Sequence, residues 1–169
     1  MTSREEFRVS GLSEPISHYT DAVRAGNLIF VSGVVPVDDD GGLVGGGDVA
    51  AQARQVFANM GRVLAAAGVG FADVVKVTVF LTDVDDRPAI NPVRQEIFGT
   101  ARPASTLVQV GRLAIPGAKI EVEAVELPEG DLFPDDLDPV VALSDEGEAE
   151  KPEAPVAVQP EPRPDRALL

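Results

Sequence analysis

The side chains best suited to chemistry in this sequence lie near the end of its regular part. Glu121 and Glu123 stand two residues apart in an alternating segment, and Ser105 and Thr106 open the segment before it. A carboxylate held in a cleft beside hydroxyl groups can orient a water molecule or take its proton. The alternative is that both glutamates are solvated or ion-paired residues of a strand face. From these residues alone we favour that alternative.

Other positions are candidates for binding a small molecule. Tyr19 is the chain's only tyrosine, and its ring could close over a ligand or serve as a packing anchor. Ser32 and Gly33 follow an apolar run, where glycine permits close backbone approach, although a simple bend between strands explains them equally well. Arg102 offers a guanidinium, but an exposed arginine is the usual state of that residue.

The composition argues against several kinds of site. The chain has no cysteine, which excludes disulfides, thiol nucleophiles and thiolate metal sites. A single histidine, His18, argues against a histidine-built metal site. We therefore predict no metal and no cofactor.

The charge is unevenly distributed and divides the chain in two. Residues 1–127 carry a net charge of -5, whereas residues 128–169 carry -9 and 8 of the 14 prolines. Such a segment has too little apolar surface to offset chain entropy. The sequence predicts one domain over 1–127 and a disordered acidic, Pro-rich C-terminal tail over 128–169. The tail's alternative is a docking peptide anchored by Leu168 and Leu169.

The same composition bears on partners and location. An acidic chain without a Lys/Arg cluster repels phosphate backbones, so we expect no nucleic-acid partner. No apolar run approaches the length of a membrane span, and the first residues lack an apolar signal core. We expect a cytoplasmic protein with no membrane association.

Hydrophobic periodicity predicts two helices among several strands. Apolar residues at steps of three and four indicate a helix from an Asp48 cap to Gly68, and a second, shorter helix is predicted from Asn91-Pro92 to Gly99. Alternating or apolar runs predict strands over 20–25, 28–33, 75–82, 105–110 and 119–126.

One-sided helices imply a sheet with both helices on one face and the other face open. We expect this open face to carry Ser105, Leu107 and Gln109 on one strand and Glu121, Glu123 and Val125 on the next. Such a face is too apolar for free solvent and too polar for a core. It is suited to an oligomer interface that contains pockets.

Five ordered blocks give the chain a family resemblance over about residues 13–127. They are Tyr19; Val31-Ser32-Gly33 with Pro36; Asp48 to Ala53; Arg102 to Leu113; and Lys119-Ile120-Glu121-Val122-Glu123-Ala124-Val125. In this pattern the chain resembles the Rid family, also called YjgF, of reactive imine and enamine deaminases. The resemblance implies a chorismate-mutase-like α+β fold with a mixed sheet, assembled as a homotrimer with a cleft between each pair of subunits.

The resemblance also implies roles for the candidate residues. Glu121 would position the attacking water, Tyr19 would close over the ligand, and Ser32 and Gly33 would form the cleft floor. Ser105 and Thr106 would lie beside Glu121 in the cleft. Arg102 is a candidate for binding the substrate if Pro103 redirects it, because a straight strand would point it to the face opposite Ser105. Ser105 departs from the family, because the deaminating members carry there an arginine that binds the substrate carboxylate. A serine hydroxyl supplies one neutral hydrogen bond and no charge.

These features predict a trimer that binds a small metabolite and hydrolyses a reactive imine or enamine to a carbonyl compound and ammonia. Two alternatives stay open. One is a non-catalytic binding or regulatory trimer on the same scaffold, since a fold does not determine its function. The other is a related hydrolysis of a neutral or amide-type substrate. Ser105 favours both alternatives, whereas Tyr19 and Glu121 favour the two hydrolytic functions.

Overall fold

The computed structural model describes residues 4–128 as an α+β domain. The predicted tail over 128–169 lies outside the described residues, apart from Pro128. The strands are β1 (Arg4–Phe7), β2 (Ala22–Ala25), β3 (Leu28–Val34), β4 (Val74–Leu81), β5 (Ala104–Gln109) and β6 (Ile120–Glu126). The helices are α1 (Val49–Ala66) and α2 (Arg87–Phe98), with short 3-10 turns at Phe71–Asp73 and Val84–Asp86.

The strands form one mixed sheet in the order β1-β2-β3-β6-β4-β5. All neighbouring pairs are antiparallel except β4 and β5, which run parallel and are connected through α2. Apolar side chains of α1 and α2 pack with the inner residues of the sheet in one core. The prediction of two helices on one face of the sheet is confirmed.

Helix α1 is the main support of the sheet, and its start follows the predicted cap. The Asp48 carboxylate accepts hydrogen bonds from the amides of Ala50 and Ala51 at 2.9 and 3.1 Å. These bonds satisfy two of the amides that a helix start leaves without partners. Edge-to-face contacts among the rings of Phe57, Phe71 and Phe98 then join α1 to the end of α2.

Three sequence-based expectations about elements were wrong. Helix α2 begins at Arg87 and not at Asn91, because Pro88 already supplies the proline of the first turn and Pro92 lies inside the helix. Strand β1 was not predicted, since its four residues are largely exposed and form a strand by pairing with β2.

The third error concerns which residues of β5 face the open side of the sheet. Leu107 packs against the core, and the Ser105 hydroxyl contacts Arg94 of α2, so these residues face the helices. Thr106 and Val108 face the open side instead, in the same rows as Glu123 and Glu121. The placement of Glu121, Glu123 and Val125 on the open face was correct.

The inner face of β6 ends in a buried glutamate. Glu126 is 0% exposed, and neither carboxylate oxygen has a hydrogen-bond partner within residues 4–128. Burial, with a smaller contribution from the charge of Asp73, raises the pKa of Glu126 from an ordinary 4.5 to about 8. The folded domain therefore holds this carboxyl group in its neutral form at pH 7.

We expect the free energy of unfolding to fall between pH 5 and pH 8 because of Glu126. The unfolded chain loses this proton near pH 4.5 and the folded chain near pH 8, so the stabilisation is complete below pH 4.5 and is lost as the pH rises to about 8. Glu126→Gln should remove roughly 3 kcal/mol of this pH dependence. Urea unfolding at both pH values measures it.

Glu5→Gln, at an exposed position of β1, is the control and should leave the slope unchanged. Parallel pH curves for wild type and Glu126→Gln would contradict the assignment.

Candidate functional site

A cleft of about 670 Å³ opens on the sheet between the N-terminal loop, the end of β3 and the loop that precedes β6. Four of the predicted site residues, Tyr19, Ser32, Gly33 and Glu121, line it together. The remaining walls come from loop residues, which are Ser13, Glu14, Ile16, Ser17, Val35, Val37, Asp40, Gly41, Ala114 and Ile115. The structure thus places a carboxylate, a phenol and a glycine backbone around one concave space.

The floor of the cleft is a β-bulge in β3. Val31 pairs with Ala124 and Val34 pairs with Val122, so β3 has one residue more than β6 over the same stretch. The Glu121 carboxylate lies on this bulge, and a Cβ atom at Gly33 would be 2.0 Å from its Oε1 atom. Glycine is therefore required at position 33 for Glu121 to take up this position.

The position of Glu121 changes its acidity. Burial of the carboxylate, and to a lesser degree repulsion by Glu123, raise the pKa of Glu121 above its usual value. A carboxyl group exchanges protons most effectively when its pKa is near the working pH. A raised pKa makes Glu121 a better proton acceptor than an ordinary carboxylate, which suits it to proton exchange with water.

Two buried amides of α1 hold the cleft walls. Gln52 donates from Nε2 to the carbonyls of Gly46 and Gly117 and accepts from the amide of Lys119, which secures the loop before β6. Asn59 donates from Nδ2 to the carbonyl of Val37 at 2.8 Å, which secures the segment after β3. Each buried amide is thus paired, as burial demands, and each pairing positions a wall.

The N-terminal loop is fastened over the cleft. The Ser32 hydroxyl donates to the carbonyl of Thr20 at 2.6 Å, and Asp21 accepts from Arg8 Nη1 at 2.5 Å. Tyr19, in between, is 47% exposed, and its hydroxyl has no hydrogen-bond partner within the described part of the chain. The phenol is thus available to a ligand, whereas the Ser32 hydroxyl already supports the loop.

Ser105, Thr106 and Arg102 lie away from this cleft in the single chain. The Ser105 hydroxyl accepts from Arg94 Nη2 at 2.8 Å on the helix side. Thr106 Oγ1 accepts from Lys76 Nζ at 2.6 Å on the open side. Arg102 lines a separate groove between α2 and β5, together with Asn91 and Arg94.

Sequence reasoning missed Arg94, Gln52 and Asn59. Arg94 adjoins the apolar stripe of α2 that includes Val93 and Ile97, and Gln52 and Asn59 interrupt the stripe of α1. Polar residues at the apolar face of a helix are unusual unless they have a partner. That signal could have identified all three.

Between residues 4 and 128 no three His, Asp or Glu side chains cluster as metal ligands would. Neither helix of the described region is long and apolar enough to cross a membrane.

Comparison with known proteins gives a consistent result. A family profile described as Endoribonuclease L-PSP matches residues 11–127. The chain is 42% identical to 3-aminoacrylate deaminase RutC of Acinetobacter baylyi over 122 residues, 72% of this chain and 96% of the relative. It is 38% identical to the human 2-iminobutanoate/2-iminopropanoate deaminase over 112 residues, 66% of this chain and 81% of that protein.

The fold is shared with solved structures. The crystal structure of RidA from the Antarctic bacterium Psychrobacter sp. superposes with a TM-score of 0.69 at 32% identity, covering 73% of this chain and 99% of that one. The likeness thus extends over nearly the full length of that protein.

Gly33→Ala is expected to move Glu121 without unfolding the domain. The new methyl group would overlap the end of a flexible side chain, which can rotate away from the bulge. Because burial is the main cause of the raised pKa, the pKa of Glu121 should fall toward its usual value. Carboxyl-resolved NMR titration measures this shift, and thermal melting should show a loss of only a few degrees.

Gly47→Ala is the matched control, since a methyl group there would meet no atom within 4 Å. An unchanged pKa of Glu121 in Gly33→Ala would show that the bulge does not position the carboxylate.

Proposed function

The chain belongs to the family described as Endoribonuclease L-PSP, that of the YjgF and Rid proteins, and on that premise we propose that it hydrolyses a reactive imine or enamine. Water adds to the carbon of the C=N group, the C–N bond breaks, and a carbonyl compound and ammonia leave. An enamine first takes a proton on carbon to become the imine. The observation that carries this proposal is the Glu121 carboxylate with its raised pKa, held on the Gly33 bulge inside the cleft.

Each cleft residue has a part in this reaction. Glu121 accepts a proton from the attacking water and returns one to the departing nitrogen, which a carboxyl group with a raised pKa can do in both directions. Tyr19 covers the ligand and offers a hydroxyl as donor. The backbone at Ser32 and Gly33 forms the surface on which the reacting carbon rests.

The cleft is poorly suited to cleaving RNA, which the family description names. Glu14, Asp40 and Glu121 line it, and no Lys or Arg does. An acidic cleft on a protein of net charge -14 repels a phosphate backbone. A small imine or enamine carries at most one negative charge and meets far less of that repulsion.

The proposed assembly is a homotrimer with the open sheet faces turned toward one another. Phe30, which is 44% exposed, lies beside Val125 on this face. Val108, which is 38% exposed, lies further along the same face in the row of Phe80 and Glu121. Large apolar side chains exposed on one sheet face are the kind of surface that a partner copy covers. Packing these side chains against two further copies removes them from water. It also brings the edge of one chain to the cleft of the next.

Glu121→Gln should lower kcat/KM for imine hydrolysis on the order of 10²- to 10⁴-fold, the usual worth of a positioned acid-base group. The measurement is ammonia release from 2-iminobutanoate generated in the assay by an amino-acid oxidase.

Glu123→Gln is the matched control, and it should retain most of the turnover. Its acidic pH limb should move to lower pH, because removing the Glu123 charge lowers the pKa of Glu121. Wild type that binds small metabolites but releases no ammonia above background would favour the non-catalytic trimer.

Light scattering on the full chain should give the mass of three subunits at micromolar concentration. Phe30→Asp should shift the mass toward one subunit, because it places a charge in the proposed interface. Val84→Asp, at a residue that is 43% exposed but lies outside the sheet, should not. A wild-type monomer would contradict the shared-cleft assembly.

A further inference from the structure

Arg94 is a half-buried cation for which the described residues provide no counter-charge. Its Nη2 atom donates to the Ser105 hydroxyl at 2.8 Å, and its buried Nε atom has no hydrogen-bond partner within residues 4–128. Burial lowers the pKa of Arg94, and no carboxylate of the described domain pairs with it. A partly desolvated guanidinium without a counter-charge favours a nearby anion, which its remaining N–H donors can bind.

The surroundings of Arg94 have the composition of an anion site. Arg94, Asn91 and Arg102 line a groove of about 460 Å³ between α2 and β5, and no Asp or Glu lines it. The nearest acidic neighbour on the helix, Glu96, is paired with Arg54 at 2.6 Å. Two guanidinium groups beside an amide can bind a carboxylate through paired hydrogen bonds.

This cationic groove and the acidic Glu121 cleft complement each other but cannot meet within one chain. Strand β4 separates β6, which carries Glu121, from β5, which carries Ser105. Ser105 and Arg94 lie on the helix side of the sheet and Glu121 lies on the open side. With strands spaced about 4.8 Å apart, a molecule of a few atoms cannot touch both sites through the sheet.

We infer that Arg94 of one protomer, with Arg102 beside it, binds the carboxylate of a 2-imino or 2-enamino acid whose C=N carbon lies against Glu121 of the neighbouring protomer. This inference rests on the proposed function and its shared clefts. It assigns to a helix residue the charge that Ser105 does not supply. It also replaces the expectation of a neutral or amide-type substrate with that of a carboxylate.

A binding experiment tests Arg94 without requiring turnover. The probe is 2-oxobutanoate, the carbonyl product of 2-iminobutanoate hydrolysis, titrated by NMR into the full chain, with 2-butanone as the analogue that lacks the carboxylate. Arg94→Gln should weaken 2-oxobutanoate binding on the order of 10- to 100-fold and leave 2-butanone unaffected. Arg87→Gln, an exposed arginine at the start of the same helix, should change neither.

A rescue variant separates binding from a structural role. Because the Arg94 guanidinium contacts the Ser105 hydroxyl, an arginine grafted at 105 can return the charge to the same place. Arg94→Gln combined with Ser105→Arg should recover most of the lost affinity. Equal binding of 2-oxobutanoate to wild type and a folded Arg94→Gln would overturn the inference.

Mixing two inactive variants tests whether the two halves come from different subunits. Glu121→Gln and Arg94→Gln are unfolded together, refolded and assayed for ammonia release. In a cyclic trimer assembled at random from equal amounts of the two variants, about a quarter of the clefts contain both a wild-type Glu121 and a wild-type Arg94. About a quarter of the wild-type activity should therefore return. No return would show that both groups act within one chain, which contradicts the inference.

The two proposals fail in different ways. Wild type that binds 2-oxobutanoate through Arg94 but hydrolyses no imine would end the enzymatic proposal and leave the carboxylate site standing. Fast imine hydrolysis that is insensitive to Arg94→Gln would end the carboxylate site and leave the enzyme standing.

Discussion

The contact between the Glu121 carboxylate and the glycine backbone at position 33 determines how this site is built. It requires an extra residue in β3, which the bulge between Val31 and Val34 supplies, and it leaves no room for a side chain. The desolvation that raises the pKa of Glu121 follows from the same contact. The amides of Gln52 and Asn59 hold the walls around it from the core, and the Ser32 hydroxyl fastens the loop that covers it.

Local sequence patterns predicted most elements of the domain but not how its strands pair side by side. Asp48 identified the start of α1, and alternation identified β4 and β6, because caps and side-chain periodicity act locally. Strand β1 and the direction of β5 depend on pairing with distant strands, so local patterns were silent on the first and misleading on the face of Ser105. The start of α2 was predicted too late, because Pro88 and Pro92 both fit the first turn of a helix and the structure uses the earlier one.

The candidate site shows the same division between local and distant information. Resemblance to the Rid family named Glu121, Tyr19, Ser32 and Gly33, and these four residues line one cleft, although their roles remain predictions. Nothing in the sequence indicated that Arg94 would reach Ser105, because that contact depends on how α2 lies against the edge strand. Substitution of a family residue can therefore conceal a charge that has moved to a neighbouring element.

Because of Glu126, folding of the domain is coupled to the uptake of a proton. Its pKa near 8 in the folded domain means that the chain takes up close to one proton when it folds at neutral pH. The heat measured on unfolding then includes the heat with which the buffer accepts that proton, so calorimetric enthalpies in phosphate and in amine buffers differ for the same protein. The buried carboxyl group thereby connects the energetics of the core with the composition of the solvent.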